Sequence, residues 1–277
     1  MNRLLSRIDE ALAGLYDAAE LDSVKRALCL ELLGLSPVTY YTRQELTPDK
    51  ERDQKFTDAL ERLTNGEPLQ YVMGYTPFEG LNFKVDSRVL IPRPETAELV
   101  EWILRDCDGA DSVLDIGTGS GCIAVTLASK LPGCKVQGWD VSDSALELAC
   151  LNNCLNSTNV EFRKVDILDV PEQEYCFDVI VSNPPYVLES EKSGMEARVV
   201  DYEPHLALFV PDNDPLLFYR AISEFGKKAL PKGGKLFFEI NPLKAEGLVR
   251  MLEDTGYHNV ELRNDIFGKQ RMIKAIL

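Results

Sequence analysis

From about residue 92 to residue 277 the chain alternates between stretches that suit a strand and stretches that suit a helix, and this limits the fold more than any other feature. Strands are predicted at 112–116, 135–140, 160–165, 177–182, 235–240, 258–263 and 271–277, and helices at 94–106, 121–131, 142–154, 215–229 and 242–254. Strands joined through helices pair as parallel neighbours, with the helices covering both sheet faces. The last two strands are joined only by Asn264 to Gln270, too short a connection for a parallel crossover. They are expected to form an antiparallel hairpin at one edge. The class is α/β, with a seven-stranded, mostly parallel sheet.

The front of the chain has a different pattern. Leu4, Leu5, Ile8, Leu12 and Leu15 recur at helical spacing, and Val24, Leu28, Leu30, Leu32 and Leu33 continue it until Gly34 and Pro37. A third helix is predicted from about Pro48 to Thr64, with Phe56, Leu60 and Leu63 on one face. Residues 1–68 therefore read as a small all-α domain without a chemical motif, suited to docking a partner. In residues 69–91 apolar residues alternate between glycines, so a β-hairpin linker is expected there. Residues 92–277 form the third region.

Charge and composition exclude several function classes. With 30 basic and 45 acidic side chains the net charge is −15, which repels a phosphate backbone at long range and disfavours a nucleic-acid binder. The seven cysteines show no CxxC spacing, and the chain has only two histidines. No metal site is expected, and the cysteines read as reduced thiols behaving as small hydrophobes. No run of about 18 apolar residues occurs, and the first residues reach Asp9 and Glu10 before any signal-peptide core. A cytoplasmic protein with no membrane contact is expected.

Three segments carry chemistry. The first predicted strand runs into Gly117-Thr118-Gly119-Ser120-Gly121, where a helix opens. Glycines there permit a tight turn and close approach of backbone to a ligand. The G-x-G-x-G spacing differs from the dinucleotide fingerprint G-x-G-x-x-G, so a ligand without phosphates can use the loop. Asp140 ends the next strand, placed to accept hydrogen bonds from both ribose hydroxyls of an adenosyl ligand; the alternative is that it merely caps the helix beginning at Ser142, which Ser142 can itself cap. Asp166 and Ile167 end the third strand, Asp166 placed for the adenine amino group or for a turn, Ile167 for the ring. The third segment is Asn183-Pro184-Pro185-Tyr186, directly after an apolar strand. Two prolines fix the chain and cannot donate backbone hydrogen bonds. Acceptors for an NH₂ group remain, between the flat walls of Pro185 and Tyr186.

The Gly loop, Asp140 and the Asn-Pro-Pro-Tyr segment together resemble class I S-adenosylmethionine-dependent methyltransferases acting on planar amide or amine nitrogen. Gly66-Glu67-Pro68-Leu69-Gln70-Tyr71, Phe78-x-Gly80, Ile91-Pro92-Arg93-Pro94-Glu95-Thr96, Tyr202-Glu203-Pro204 and Asp265-x-x-Gly268-x-x-Arg271 narrow the resemblance to the HemK/PrmC family of release factor glutamine N5-methyltransferases. It extends over nearly the whole chain. Ala97 and Asn241-Pro242 depart from the family pattern, away from the residues assigned to chemistry.

The resemblance implies transfer of the methyl group of S-adenosyl-L-methionine, leaving S-adenosyl-L-homocysteine, to the glutamine of the Gly-Gly-Gln loop of class I peptide chain release factors. Asn183, Pro184 and Tyr186 would be catalytic, with Asn183 and the Pro184 carbonyl accepting from the glutamine nitrogen. Phe78, Pro185 and Tyr186 would line the acceptor slot. Gly117, Thr118, Gly119, Ser120, Gly121, Asp140, Asp166, Ile167 and Asn183 would hold the cofactor. Arg93 and Thr96 would border its methionine end, or form a helix-entry packing motif instead. A monomer without metal or nucleic-acid contact is expected. The same acceptor motif resembles that of adenine-N6 nucleic-acid methyltransferases, the alternative reading.

Overall fold

The computed structural model describes residues 1–107 and 109–277. They divide into two compact units: Met1–Tyr75 with Glu196–Tyr202, and Thr76–Met195 with Glu203–Leu277.

The first unit is helical, with helices Asn2–Ala11, Ala18–Arg26, Pro37–Tyr41, Lys50–Thr64 and Leu69–Met73. Three of these helices begin at a side-chain cap: Asp17, Ser36 and Asp49. The Asp17 carboxylate accepts from the Ala19 and Glu20 N–H groups, and Glu20 accepts in return from the Asp17 N–H. Asp49 caps Lys50–Thr64 in the same way, through Glu51 and Arg52. Ile8, Leu12, Leu28, Phe56 and Leu63 are wholly buried at the centre. The stretch Ala27–Leu32 winds as a π-helix, which explains why its leucines do not keep a 3.6-residue period. Leu15 lies beyond the first helix and is exposed, not on its apolar face.

An outlying helix, Ala197–Tyr202, completes this unit. The Arg198 guanidinium donates to the Leu15 carbonyl at 3.1 Å and lies 4.8 Å from the centre of the Tyr16 ring. The Tyr202 hydroxyl donates to the Asn65 carbonyl at 2.8 Å.

Residues 69–91 are not one linker. Leu69 and Val72 pack in the helical core, and Leu69–Met73 is a short helix closed by Gly74 in the left-handed region. Only β1 (Tyr75–Phe78) and β2 (Leu81–Lys84) form the expected hairpin. Phe78 and Phe83 pack in the core of the second unit. The boundary expected at residue 68 therefore falls after Tyr75, because the alternating apolar residues of 69–73 serve a helical face.

The second unit is built on the predicted sheet: β3 (Ser112–Ile116), β4 (Lys135–Asp140), β5 (Val160–Lys164), β6 (Val179–Ser182), β9 (Lys235–Glu239), β10 (His258–Asn264) and β11 (Gln270–Ile276). Two short strands, β7 (Val187–Leu188) and β8 (Phe209–Val210), pair apart from it. The sheet order is β10-β11-β9-β6-β3-β4-β5, with β11 antiparallel to both its neighbours and the rest parallel.

Side chains alternate between the faces. Val113 and Phe237 join Trp102 and Val125 under helices Pro94–Asp106 and Cys122–Lys130. Leu114 and Phe238 join Tyr219 and Leu248 under Leu217–Ala229 and Ala245–Thr255. The chain leaves β3 toward β4 on one side and leaves β6 toward β9 on the other. Connections that diverge this way leave a crevice at the strand ends, where ligands bind in such sheets. The Gly loop and Asn183 sit at those two ends.

Candidate active site

The Gly loop is held from below by the sheet. The Gly117 and Thr118 N–H groups both donate to the Trp139 carbonyl, at 2.8 and 2.9 Å. Gly117 and Gly119 have φ of 72° and 54°, values that a side chain would strain. Gly138, on β4, serves closeness instead. A Cβ there would stand 2.6 Å from the Phe162 ring and 2.9 Å from the Thr118 hydroxyl oxygen. Its hydrogen lets the strand run directly beneath the loop.

Asp140 ties two backbones together. Its Oδ2 accepts from the Gly119 N–H at 2.9 Å and its Oδ1 from the Ser142 N–H at 2.9 Å. Burial raises its pKa, and those N–H groups oppose the rise. Each carboxylate oxygen keeps lone-pair capacity for a hydroxyl arriving from the cavity that Asp140 lines. The cap of the following helix is Ser142, whose hydroxyl accepts from the Ala145 N–H.

Beneath the loop lies Asp115, wholly buried in the middle of the sheet. Its Oδ2 accepts from the Thr118 hydroxyl at 2.6 Å, and its Oδ1 has no partner among the described residues. Burial pushes its pKa up to about 7, with the Thr118 hydroxyl acting against that.

A cavity of about 340 Å³ opens over this surface. From Gly117 to Ser120 the loop forms its floor, and Asp140, Asp166 and Ile167 one side. Asp166 also makes a turn, its Oδ1 accepting from the Leu168 N–H at 2.9 Å. Opposite stand Arg93, Thr96, Asn183, Pro184 and Pro185. Gly121 turns into the helix in the left-handed region and does not line the cavity.

Two predicted residues face elsewhere. Phe78 is buried in the core, edge-to-face with Phe83 at 6.0 Å between ring centres, and does not reach the cavity. The tight hairpin turn points it inward, so Phe78 as a wall of the acceptor slot is corrected to a packing residue. Tyr186 follows Pro185 but turns its hydroxyl away from the lining, to Glu239 at 3.0 Å. Burial is the main reason its pKa is raised.

Arg93 is on the cavity wall, yet its guanidinium is taken by the buried Glu203 at 2.6 Å. Glu203 also accepts from the Ile91 N–H at 3.1 Å and so pins the segment 87–93, which forms part of the wall. Thr96, the third residue of helix Pro94–Asp106, is buried. Its hydroxyl donates to Glu239 Oε2 at 2.6 Å and accepts from the Asn183 side-chain NH₂ at 3.2 Å.

Glu239 ends β9 and is buried; burial raises its pKa, against the hydroxyls of Thr96 and Tyr186. Asp115, Glu203 and Glu239 have no role in the sequence reading. An acid ending an apolar strand, as Asp140 does, is the signal that could have found Glu239. Asp115 within its apolar strand stands out in the same way. Among the described residues no cluster could hold a metal ion, and no helix is long and apolar enough to cross a membrane.

Known proteins fit this arrangement. Residues 3–74 match the family model described as PrmC N-terminal domain, and residues 95–201 that of the methyltransferase small domain. A release factor glutamine methyltransferase of Bacteroides thetaiotaomicron is 45% identical over 276 residues, covering 99% of each chain. One from Flavobacterium psychrophilum is 43% identical over 96% of this chain and 95% of its own. One from Lactococcus lactis is 42% identical over 95% and 96%. Among solved structures, a methyltransferase from Pyrococcus furiosus superposes with a TM-score of 0.54 at 20% identity, covering 79% of this chain and 98% of that one. A human methyltransferase 10 domain containing protein gives 0.52 at 19% identity, over 71% and 89%. These two likenesses show the fold.

Proposed function

The chain belongs to the family of release factor glutamine methyltransferases, and from that premise we propose how its residues transfer a methyl group from S-adenosylmethionine to N5 of the glutamine in the Gly-Gly-Gln loop of class I release factors. The observation that carries the reading is Asn183. Its NH₂ is engaged by Thr96, while its Oδ1, on a residue lining the cavity, has no partner among the described residues. An unpaired acceptor followed by two prolines suits a primary amide nitrogen that brings two N–H donors.

The residues present also fit the methyl donor. The floor is a glycine cradle with nothing within 4 Å of a Cβ on Gly117, and the side wall carries a carboxylate that already receives backbone N–H groups. The Gly117–Ser120 backbone and Asp140 would hold the nucleoside and amino-acid portions, with Asp166 and Ile167 at the adenine. The bound donor supplies an electrophilic methyl group on a sulfonium.

The chain's own part is orientation. Asn183 Oδ1 and the Pro184 carbonyl accept from the glutamine N–H groups and hold the nitrogen in line for attack. The same acceptors favour the positive charge that develops on that nitrogen. No side-chain base is required, because the methylated nitrogen is acidic enough to lose its proton afterwards. Arg93 keeps its charge on Glu203 and shapes the wall.

The helical unit supplies the second contact with the protein substrate. Ten arginines sit in ion pairs; among the described residues Arg105 of the second unit and Arg3, Arg7, Arg43 and Arg52 of the helical unit make none. The last four line one cavity of the helical unit, of about 450 Å³, which Glu45 and Asp53 share. Arg7 donates to the Thr57 hydroxyl and Arg52 to the Thr47 carbonyl, so what these groups lack is a carboxylate partner, and four against two favours a carboxylate-rich surface on the release factor. Docking and slot together gain through effective concentration. Such a substrate places the enzyme's work in the cytoplasm.

Incubation with methyl-labelled S-adenosylmethionine and purified release factor, or duplex DNA, tests the reading. Label is expected on the Gly-Gly-Gln glutamine and not on DNA. Label on adenine alone would replace this reading with the nucleic-acid one.

A further inference from the structure

We infer that Glu239 is a positioning residue: acting through Thr96, it fixes which end of the Asn183 side-chain amide faces the acceptor slot. The inference rests on the function proposed above and concerns how its acceptor is kept the right way round.

The oxygen and nitrogen of an asparagine amide have nearly the same shape, so packing alone hardly distinguishes the two flipped orientations. They differ completely in chemistry. With Oδ1 toward the slot, Asn183 accepts from the substrate NH₂; with Nδ2 toward the slot, two donors confront each other. Something must therefore set the polarity of this group, and the hydrogen bonds behind it do so.

The chain of polarity starts at Glu239. Its carboxylate is acceptor-only when ionised. It receives the Tyr186 hydroxyl on Oε1 at 3.0 Å and the Thr96 hydroxyl on Oε2 at 2.6 Å. A threonine hydroxyl has a single proton. Once that proton points to Glu239, Thr96 can only accept on its other side. The Asn183 side chain, 3.2 Å away, must then offer its NH₂, which leaves Oδ1 for the substrate.

The relay is anchored at each member. Glu239 ends β9, and the Tyr219 hydroxyl donates to its backbone carbonyl at 3.0 Å. Asn183 directly follows β6, whose last residue, Ser182, pairs with Phe238 beside Glu239. The Asn241 side chain donates to the Tyr186 carbonyl at 3.2 Å. Glu239 itself does not line the cavity, so it touches neither substrate nor methyl donor. Its influence reaches them through the groups it holds, Thr96 with Asn183 beyond it and Tyr186 after Pro185, and the Thr96 substitutions isolate the first of these.

Three substitutions in the full-length enzyme test this, with single-turnover methyl transfer to a Gly-Gly-Gln peptide, donor affinity by calorimetry and thermal melting as readouts. Transfer by the wild type is measured first, and its absence would refute the proposed function, not the relay. Glu239→Gln keeps the shape but brings an NH₂ that can donate to Thr96, freeing the threonine proton to turn to Asn183 Oδ1. Thr96→Val keeps the volume and deletes the relay; Thr96→Ser restores the hydroxyl.

Glu239→Gln and Thr96→Val are expected to slow transfer roughly 10- to 100-fold, less than the ~10²–10³-fold for deleting an oriented group outright, because Asn183 itself is retained. Donor affinity should stay within about 3-fold, and Thr96→Ser should recover most of the rate that Thr96→Val loses. If Glu239→Gln does not fold, the Thr96 pair decides alone. Transfer by Thr96→Val within a factor of two of wild type overturns the inference. So does a loss that Thr96→Ser shares equally, or one that follows donor affinity or melting temperature.

Discussion

The two walls of the active-site cavity are made in different ways. On the side proposed for the methyl donor the groups are backbone: glycines in the left-handed region, N–H groups tied to Asp140, and a strand that passes close beneath because Gly138 has no side chain. On the side proposed for the acceptor they are side chains in series, from Asn183 through Thr96 to Glu239 and Tyr186. A wall of backbone tolerates a ligand's shape and charge but sets little direction. A wall of side chains with fixed proton positions discriminates donors from acceptors. On the proposed reading, the difference assigns binding to the first half and the chemical step to the second.

Asn183→Ala should break this contrast most sharply. Transfer is expected to fall about 10²-fold or more while donor binding persists, as for removal of one oriented partner at the reacting centre. Single-turnover rates beside calorimetry measure both, and an equal loss in the two would make the walls alike. Asp140→Ala is the reciprocal test. It should weaken S-adenosylmethionine by about 1.5–3 kcal/mol, the scale of hydrogen bonds to a charged group. Unchanged donor affinity in a folded protein would remove Asp140 from the binding wall.

A smaller effect is expected where neither wall is touched. Reversing charge with Arg3→Glu and Arg43→Glu together should raise KM for intact release factor about 10-fold and leave kinetics on a short Gly-Gly-Gln peptide unchanged. Equal KM for intact factor would discard the charged docking surface.

The last test is of stability, not of binding or transfer, and belongs to Asp115. Its pKa rises from an ordinary 3.8 to about 7 on folding. A raised acid contributes stability that is complete below about 3.8 and lost as pH climbs through 7. Wild-type stability should therefore decline over that window relative to Asp115→Asn, with a slope of at most about 1.4 kcal/mol per pH unit. Parallel melting curves from pH 4 to 8 would show that the carboxyl is not so perturbed.

The backbone wall was the legible one. Glycine spacing and an acid at a strand end have local causes, so strands 112–116 and 135–140 are predicted with their observed bounds and carry the loop between them. Helix 94–106 is equally clear, since Pro94 opens it at the first helical position. What sequence hid was long-range. Thr96 and Glu239 are brought together by the pairing of β6 with β9 and by the packing of a helix on the sheet. No local period reports such a meeting. The resemblance alone assigns Phe78 to the slot, and it carries over a residue's place in the sequence but not the direction its side chain takes in this core. Residues 69–73 misled because five residues are too few to separate a helical turn from a strand.

The helical unit is not continuous in sequence, since residues 196–202 return to it from within the catalytic stretch. Arg198 and Tyr202 satisfy the Leu15 and Asn65 carbonyls there, so these residues form part of the unit's own construction. The polypeptide thus crosses between the units three times, after Tyr75, after Met195 and after Tyr202. A module wired in this way is not complete in a single block of sequence. A chimera taking residues 1–75 from a relative would seat a foreign scaffold against the resident Ala197–Tyr202 helix, and would be sound only if that helix travelled with it.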